Sequence, residues 1–369
     1  MNKRIQILCR VFSMLMTAVM AMSVLASCAA SGIKVNDLRC EYMSEPMTID
    51  NTQPHFSWKM LAKADGARPT AYQILVASDM KKLNEKEADL WNSGKVEDGA
   101  STGILYAGKD LAPRAHAYWK VRVWDGNGKA SRWSRPASFG VGLLSDADWA
   151  EGAEFIGIEQ TRADELIHIS PVLRKTFNCP SGKGRVLLHV NSLGYHEAYL
   201  NGAPVTLSPL NPAVSQHPKR SIINTYDVTD LLVKGKNELV IWAGIGWYHK
   251  RVPGVPAGGP YVRAQIEKVG AAGHEVLAKT DASWKAADVG RYYFGKDWAR
   301  GEDVDMRKWV KDFTSASLNS IDWQDVVIGD IPAHEATPQM CEANVFYQTY
   351  RPVAVHKVAD STYVYDMGH

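Results

Sequence analysis

The sequence predicts an all-β protein built from two sandwiches. Three observations support this: short runs alternate apolar with polar residues, turn-forming pairs such as Asn201-Gly202 separate those runs, and long helical periodicity is absent. The chain has 369 residues, of which 46 % are hydrophobic and 22 % charged, enough for two or three domains with buried cores. We therefore expect two β-domains after an N-terminal leader.

Residues 1–27 are predicted to be an export signal. Lys3 and Arg4 precede an apolar run from Val11 to Leu25, and small residues follow it. Leu-Ala-Ser-Cys, ending at Cys28, is similar to a bacterial lipobox. The resemblance implies lipidation of Cys28 and an anchor in the outer membrane, and it does not specify the periplasmic or the outer surface. The alternative is an ordinary cleaved signal with an incidental cysteine. No later stretch reaches the ~18 apolar residues of a membrane span.

Residues 34–144 are predicted to form the first sandwich, with roughly seven strands. The segment resembles a fibronectin type III domain, with Trp58 in an early strand and Ser131–Ser134 opening the last one. Its aromatic residues are expected in the core rather than as ligand platforms. Specific elements are strands at Phe56–Trp58, Ala71–Val76 and Tyr118–Trp124, a turn at Asp125–Gly128 and a short helix at Asp79–Asp89.

Residues 145–345 are predicted to hold a connector, up to Ser170, and then a jelly-roll sandwich of the galactose-binding-like kind. Alternation places Tyr199 and Trp242 in the core, and Asn201-Gly202 predicts a hairpin turn. The expected strands are Arg185–Val190, Glu197–Leu200, Glu238–Trp242, Tyr261–Ile266 and Val276–Leu277.

Residues 346–369 are predicted to begin a further, truncated β-domain. Thr362–Tyr365 alternates like a strand, and we expect it to lack a partner. A second short helix is expected at Asp303–Lys311. Cys40, Cys179 and Cys341 follow the leader without any C-x-x-C pair, which predicts buried free thiols rather than a zinc or redox site.

Charge and motifs exclude several function classes. Three of the 42 basic residues lie in the leader, so 39 bases face 40 acids, and a basic stripe for nucleic acid is not expected. G-x-S-x-G and P-loop sequences are absent, and the pairs beginning at His274 and His334 lack a second histidine four residues on. We assign no catalytic residue and no metal ligand.

Aromatic residues beside polar groups in predicted loops are typical of carbohydrate binding. Tyr195 and Glu197 form one such group, and Trp247 and Tyr248 form another. An aromatic ring suits the apolar face of a sugar, and neighbouring polar groups suit its hydroxyls. The alternative is that Trp247 and Tyr248 pack between domains.

From about Leu38 onward, the chain resembles the N-terminal, non-catalytic region of bacterial α-L-rhamnosidases of glycoside hydrolase family 78. Eight motifs occur in the family's order. They are Trp91–Val96, Tyr118–Asp125, Leu173–Phe177, Gly194–Gly202, Asn224–Thr229, Gly246–Tyr248, Gly301–Arg307 and Tyr363–Gly368.

The resemblance implies hydrolysis of terminal α-L-rhamnosyl bonds in the intact family, by an inverting acid and base mechanism. That chemistry belongs to an (α/α)6 barrel that we do not find here, so this chain alone is expected to be inactive. Its implied partners are rhamnose-containing glycans and the missing catalytic domain. Glu302, Asp305 and Arg307 are further candidate contacts on a loop facing substrate or another domain. For Arg307 the alternative is a salt bridge to Asp303 or Asp305.

Some jelly rolls of this family bind rhamnose through calcium. Here Asn211 and Ile245 replace a carboxylate and an amide of the family pattern. The sequence therefore leaves calcium binding undecided, and no other cofactor is expected. We expect a carbohydrate-binding or scaffold region of a secreted rhamnosidase. The alternatives are a stand-alone sugar-binding lipoprotein of a polysaccharide-utilisation system, and a truncation product without a function.

Overall fold

The structure is a computed structural model. It describes residues 31–161, 167–181, 184–249, 253–255, 258–270, 273–295 and 300–368. Cys28 and the leader lie outside these residues. The chain divides into two compact units between Gly142 and Leu143.

The first unit is a sandwich of seven strands. One sheet has the order β1-β2-β5 and the other β4-β3-β6-β7, all antiparallel. This confirms the predicted all-β sandwich. The strands are β1 (Ile33–Cys40), β2 (His55–Ala62), β3 (Pro69–Ala77), β4 (Trp91–Asn92), β5 (Ile104–Leu105), β6 (His116–Asp125) and β7 (Ala137–Gly140).

Aromatic rings fill the space between these two sheets. Phe56 of β2 lies 4.3 Å from the ring of Trp119 on β6 and 5.6 Å from the ring of Phe139 on β7, measured between centroids. All three side chains are buried, as is Trp58. The prediction that the aromatic residues of this unit form its core is confirmed for these four, and the reason is their large apolar area.

The helix predicted at Asp79–Asp89 is wrong. Only Met80–Lys82 forms a single 3-10 turn. Side chains replace the helical hydrogen bonds: Asn84 accepts from the amides of Lys86 and Glu87, and Asp89 accepts from Ser78. Short polar side chains that bind nearby amides offer the backbone an alternative to a helix.

The second unit begins at Leu143 and is also a β-structure. Its strands are β8 (Ile156–Gly157), β9 (Ile167–Ile169), β10 (Val172–Cys179), β11 (Arg185–Leu193), β12 (Tyr195–Leu200), β13 (Ala203–Pro204), β14 (Arg220–Asp227), β15 (Gly235–Gly244), β16 (Tyr261–Gly270), β17 (Gly273–Lys279), β18 (Lys285–Ala287), β19 (Arg291–Gly295), β20 (Arg300–Val304), β21 (Gln324–Asp325), β22 (Val327–Ile328), β23 (Glu335–Pro338), β24 (Ala354–Ala359) and β25 (Thr362–Asp366).

Two large sheets enclose the core of this unit. The front sheet has the order β13-β12-β15-β10-β18-β21, and the back sheet has β22-β8-β16-β11-β14-β23 with β17 beside β16. Alternate residues of the two sheets meet in one apolar cluster that includes Leu200 and Ile241 from the front and Leu188 and Ile266 from the back. This two-sheet arrangement confirms the predicted second sandwich. A small third sheet has the order β20-β19-β9.

The hairpin predicted at Asn201-Gly202 joins β12 to β13. Both residues have positive φ, 53° and 82°, as a type I′ turn requires. The helix predicted at Asp303–Lys311 is wrong, because β20 continues to Val304 and only Met306–Lys308 forms a 3-10 turn. The one α-helix among the described residues is α1 (Ser315–Leu318).

Two further predictions are wrong. Thr362–Tyr365 does not lack a partner, since β25 pairs with β24 in an antiparallel hairpin. The free thiols are not all buried: Cys40 is buried, Cys179 is intermediate and Cys341 is exposed. Cys341 lies in a stretch without regular structure, where no sheet covers it. The domain boundaries given above stay predictions.

Candidate functional site: the outer face of the front sheet

The alternation of β12 divides its side chains between two faces. Ala198 and Leu200 point into the core, so Tyr195, Glu197 and Tyr199 point the opposite way. Trp242 of β15 lies directly opposite Glu197 in the antiparallel register and shares this face. We call this side of the sheet, with Tyr195, Glu197, Tyr199 and Trp242, the outer face.

Tyr195 and Trp247 meet at one end of the outer face. The tyrosine ring lies over Gly246, where an added Cβ would be 2.8 Å from Cδ2 of the ring. Gly246 has φ +51°, which turns the chain so that the next residue, Trp247, comes back toward Tyr195. Burial raises the pKa of Tyr195, and a hydrogen bond with Trp247 acts in the opposite direction. Trp247 remains 37 % exposed.

Glu197 occupies the middle of the outer face. The hydroxyl of Tyr199 donates a hydrogen bond of 2.6 Å to Oε2 of Glu197. Burial first, and then the carboxylate of Glu197, raise the pKa of Tyr199. The side chain of Glu197 is exposed, so this carboxylate offers an acceptor to a ligand beside the rings of Trp242 and Tyr199.

A cleft of about 260 Å³ lies between the outer face and the segment that follows β20. Tyr199 and Trp242 form its sheet side, and Trp309 and Phe313 belong to the following segment. Arg291 of β19 links the two sides: its Cζ is 4.3 Å from the ring centroid of Trp309 and 5.9 Å from that of Trp242. The remaining lining residues are Gly202, Val289, Val310, Lys311 and Asp312.

Of the predicted site residues, Tyr195, Glu197 and Trp247 come together on this face. Glu302 joins them indirectly, because its Oε2 lies 3.2 Å from Nη1 of Arg291. As sugar contacts these residues stay predictions. Tyr195 and Glu197 project from the same face of β12, and the ring of Tyr195 lies beside the turn that carries Trp247.

Tyr248 was predicted to be a loop aromatic available to a sugar, and this is wrong. It is 2 % exposed and packs with Leu193, Ile245 and Val255. The turn at Gly246 places residues 247 and 248 on different sides, so one ring reaches the surface and the other fills an apolar cluster. The adjacent sequence positions did not reveal this difference.

Asp305 and Arg307 bind each other. Nε and Nη2 of Arg307 each lie 2.8 Å from a carboxylate oxygen of Asp305, which confirms the alternative interpretation. This bidentate contact lowers the pKa of Asp305 to about 2. Neither residue lines the cleft. The side chain of Arg307 is 90 % exposed and borders a second, polar hollow with Lys308 and Asp288.

Trp242, Tyr199, Arg291 and Trp309 were missed as site residues. Tyr199 and Trp242 were predicted to lie in the core; both are half-buried, pack against a second apolar cluster that includes Val240 and Phe313, and also line the cleft. Both side chains face outward because Trp242 lies opposite Glu197 in the register and Tyr199 is two residues from Glu197 on β12. The alternation of side chains along these strands could therefore have predicted their position. Nothing in the sequence links Trp309 to this sheet, which it reaches through Arg291.

The described residues do not fit a calcium site at the positions where the family pattern suggests one. Ile245 is buried in an apolar cluster and offers no side-chain oxygen. The amide of Asn211 is used locally, donating to the carbonyl of Ser208 at 2.6 Å. No group of three His, Cys, Asp or Glu residues in the described part of the chain could hold a metal ion.

Two family profiles match the chain. The profile described as "Rha78A-like, N-terminal immunoglobulin domain" matches residues 35–145, and "Alpha-L-rhamnosidase N-terminal domain" matches residues 183–348. An α-L-rhamnosidase from Formosa agariphila is 31 % identical over 88 % of this chain. This chain belongs to the α-L-rhamnosidase family. It corresponds to the N-terminal region of these proteins, as its resemblance implied.

Other rhamnosidases agree with this assignment. A relative from Alteromonas sp. (strain LOR) is 27 % identical over 95 % of the chain. The structure of a rhamnosidase from Dictyoglumus thermophilum superposes with a TM-score of 0.77 at 26 % identity, covering 92 % of this chain and 39 % of that one. A Streptomyces avermitilis rhamnosidase complexed with L-rhamnose shares the fold, with a TM-score of 0.76 at 22 % identity over 91 % of this chain and 49 % of that one.

The chain spans 37 % of the length of the Formosa relative and 40 % of that of the Alteromonas relative. Within the part of the chain that the structure describes, no helix is both long and apolar enough to cross a membrane.

Proposed function

We propose that this chain is the carbohydrate-binding and scaffold region of a secreted α-L-rhamnosidase that acts on rhamnose-containing glycans. Family membership supports the glycan class. The observation that carries the binding role is the joint position of Trp247, Tyr195 and Glu197 on one exposed face. An exposed indole offers an apolar plane, and the carboxylate beside it offers a hydrogen-bond acceptor. A sugar needs both.

Exposed apolar side chains mark interaction sites when they form a patch with their neighbours, and Trp247 adjoins Tyr195 on this face. Trp247 is held by a hydrogen bond with Tyr195 rather than left to rotate, so a sugar meeting it loses little side-chain entropy. Glu197 is likewise fixed by Tyr199. The site is therefore pre-organised before the sugar arrives.

Titration of the chain from Ala29 onward with methyl α-L-rhamnoside tests this proposal. We expect saturable binding, detected by isothermal titration and by a change in tryptophan fluorescence. Trp247→Ala should weaken binding at least about tenfold, which corresponds to about 1.4 kcal/mol. Tyr347→Ala, an exposed aromatic in a stretch without regular structure, is the matched control and should bind like the unsubstituted chain. Absence of binding would contradict the proposal.

A p-nitrophenyl α-L-rhamnoside assay on the same sample tests whether this chain alone hydrolyses a rhamnoside. We propose that the acid and base of the inverting reaction lie outside this chain, since no catalytic pair was assigned within it. Binding without turnover agrees with this. Turnover by the chain alone would show that two of its own carboxylates act as general acid and base.

The proposal includes export and anchoring through Cys28. The lipobox-like quartet before this residue and the apolar leader support it. Metabolic labelling with a palmitate analogue should modify the wild-type chain in a bacterial host, and Cys28→Ser should abolish labelling. Labelling of the variant would contradict acylation at this cysteine. Protease treatment of intact cells then decides which face of the outer membrane carries the protein.

A further inference from the structure

We propose that the outer face takes an oligosaccharide rather than a single sugar, with Trp309 as a second stacking platform beyond Trp247. This inference rests on the proposed function and adds a subsite, the cleft between Trp242 and Trp309. Its ligand class is a neutral pyranose joined to the sugar that contacts Trp247.

The two tryptophans share an unusual exposure. Among the described tryptophans of the chain, only Trp247 and Trp309 are more than a third exposed, at 37 % and 44 %. Both belong to the second unit, and the others are half-buried or buried. Large apolar side chains at the surface mark interaction sites when they belong to one continuous patch.

A series of neighbouring residues on this face lies between these two rings. Trp309 lies against Arg291, and Arg291 reaches Trp242. Trp242 is the register partner of Glu197. Glu197 and Tyr195 are two positions apart on the same face of β12, and Tyr195 contacts Trp247 through a hydrogen bond. Both aromatic rings and polar groups therefore occur between one exposed indole and the other.

The length of this surface exceeds one sugar ring. Tyr195 lies at the Trp247 end, and Tyr199 lines the cleft at the other end. Four residues of a strand span about 13 Å, at about 3.3 Å per residue. A single pyranose cannot contact both ends, whereas a short chain of sugars can follow the strand.

The charges of the cleft indicate a neutral sugar. Arg291 is paired with Glu302, and Oδ1 of Asp312 accepts hydrogen bonds from the hydroxyls of Thr314 and Ser317, both at 2.6 Å. These contacts lower the pKa of Asp312 to about 2. Cations and carboxylates lie together without a strong excess of one sign, an arrangement that offers hydroxyls both donors and acceptors. Val289, Val310 and Phe313 supply an apolar floor for the C–H face of a ring.

Chain-length dependence tests the inference. Methyl α-L-rhamnoside and a neutral linear trisaccharide ending in α-L-rhamnose are titrated into the chain from Ala29 onward. We expect the trisaccharide to bind at least about tenfold more tightly. Trp309→Ala should remove this gain and leave the affinity for the monosaccharide unchanged, whereas Trp247→Ala should weaken both ligands.

Two variants separate a lost platform from a disturbed fold. Trp309→Tyr keeps an aromatic ring and should retain most of the gain with the trisaccharide. Tyr347→Ala removes an exposed aromatic outside the cleft and should change neither affinity.

Equal affinities for the two ligands would overturn the extended site while leaving the single-sugar proposal intact. So would an undiminished gain in Trp309→Ala. Failure of both ligands to bind would instead contradict the proposed function, and the second subsite with it.

Discussion

The guanidinium of Arg291 lies against the indole of Trp309, with 4.3 Å between Cζ and the ring centroid. This contact connects β19 to the segment after β20, and the same guanidinium reaches Trp242 on the front sheet. Arg291 thus holds two elements together at the cleft through the attraction of a cation for the faces of two aromatic rings. Its side chain is largely buried, so water weakens this attraction little.

Arg291→Ala should therefore destabilise the chain by about 1–2 kcal/mol, because it removes two cation–π contacts and the ion pair with Glu302. Urea unfolding followed by tryptophan fluorescence measures the change. Arg307→Ala is the control, since the side chain of Arg307 is almost fully exposed and pairs with Asp305 two residues away; the expected loss is below about 0.5 kcal/mol. Equal losses in the two variants would be incompatible with the proposed role of Arg291.

Glu238 and Arg174 form a largely buried ion pair on the outer face, with 2.5 Å between Oε1 and Nε. Ser315 also donates to Glu238, at 3.0 Å. Glu238→Ala should cost about 3 kcal/mol, because the arginine is left without its partner in a desolvated place. Asp325→Ala breaks the exposed pair with Lys285 on the same sheet and should cost less than about 0.5 kcal/mol. Denaturant midpoints for the two variants provide the comparison.

The burial of His196 predicts how the free energy of unfolding depends on pH. It is buried between Ser192 and Tyr226, and burial lowers its pKa from 6.5 to about 3. Between these values the unfolded chain binds a proton that the folded chain excludes, so stability is complete above pH 6.5 and falls as pH decreases toward 3. One such histidine contributes up to about 1.4 kcal/mol per pH unit.

His196→Gln should reduce the loss of stability between pH 6.5 and 4.5 by about 2–3 kcal/mol relative to the wild-type chain. The wild-type chain, measured in parallel, is the reference. Urea unfolding at a series of pH values gives both slopes. An unchanged slope in His196→Gln would show that this histidine is already protonated in the folded chain.

Gly246→Ala should weaken rhamnoside binding by disturbing Tyr195. The new Cβ would lie 2.8 Å from the tyrosine ring, which must then move away from Trp247. Gly235→Ala is a matched control, since Gly235 also has a positive φ, of 88°, but has no atom within 4 Å of the added carbon. Both variants place an alanine at a positive φ, which destabilises the folded chain by about 1 kcal/mol. Only Gly246→Ala should lose affinity, and titration with methyl α-L-rhamnoside decides this.

The fold class followed from local patterns because strand alternation and turn chemistry are properties of a few adjacent residues. Asn201-Gly202 adopts the positive φ angles that its sequence predicts. The two predicted helices do not form, and the reason is a local hydrogen-bonding effect that hydrophobic periodicity does not reveal. At Asp79 and Asp305, carboxylates bind amides two residues later and close single 3-10 turns.

The candidate site was only half predictable. Tyr195, Glu197 and Trp247 were predicted because aromatic and polar residues stand close together in the sequence, and as sugar contacts they stay predictions. Tyr248 shares that sequence neighbourhood but is buried, since Gly246 reverses the chain just before it. Arg291 and Trp309 lie far from these residues in the sequence, and no short motif could have joined them.

By itself the sequence determined the all-β class, the family and the residues at one end of the outer face, because each depends on patterns within short segments. The tertiary structure alone decided that Trp242 faces outward, that Arg291 bridges two tryptophans and that a cleft opens beside Tyr199. The physical reason is that strand register and the packing of a distant segment fix which side chains meet. Those contacts join residues that are distant in the sequence, such as Trp242 and Arg291, which are 49 positions apart.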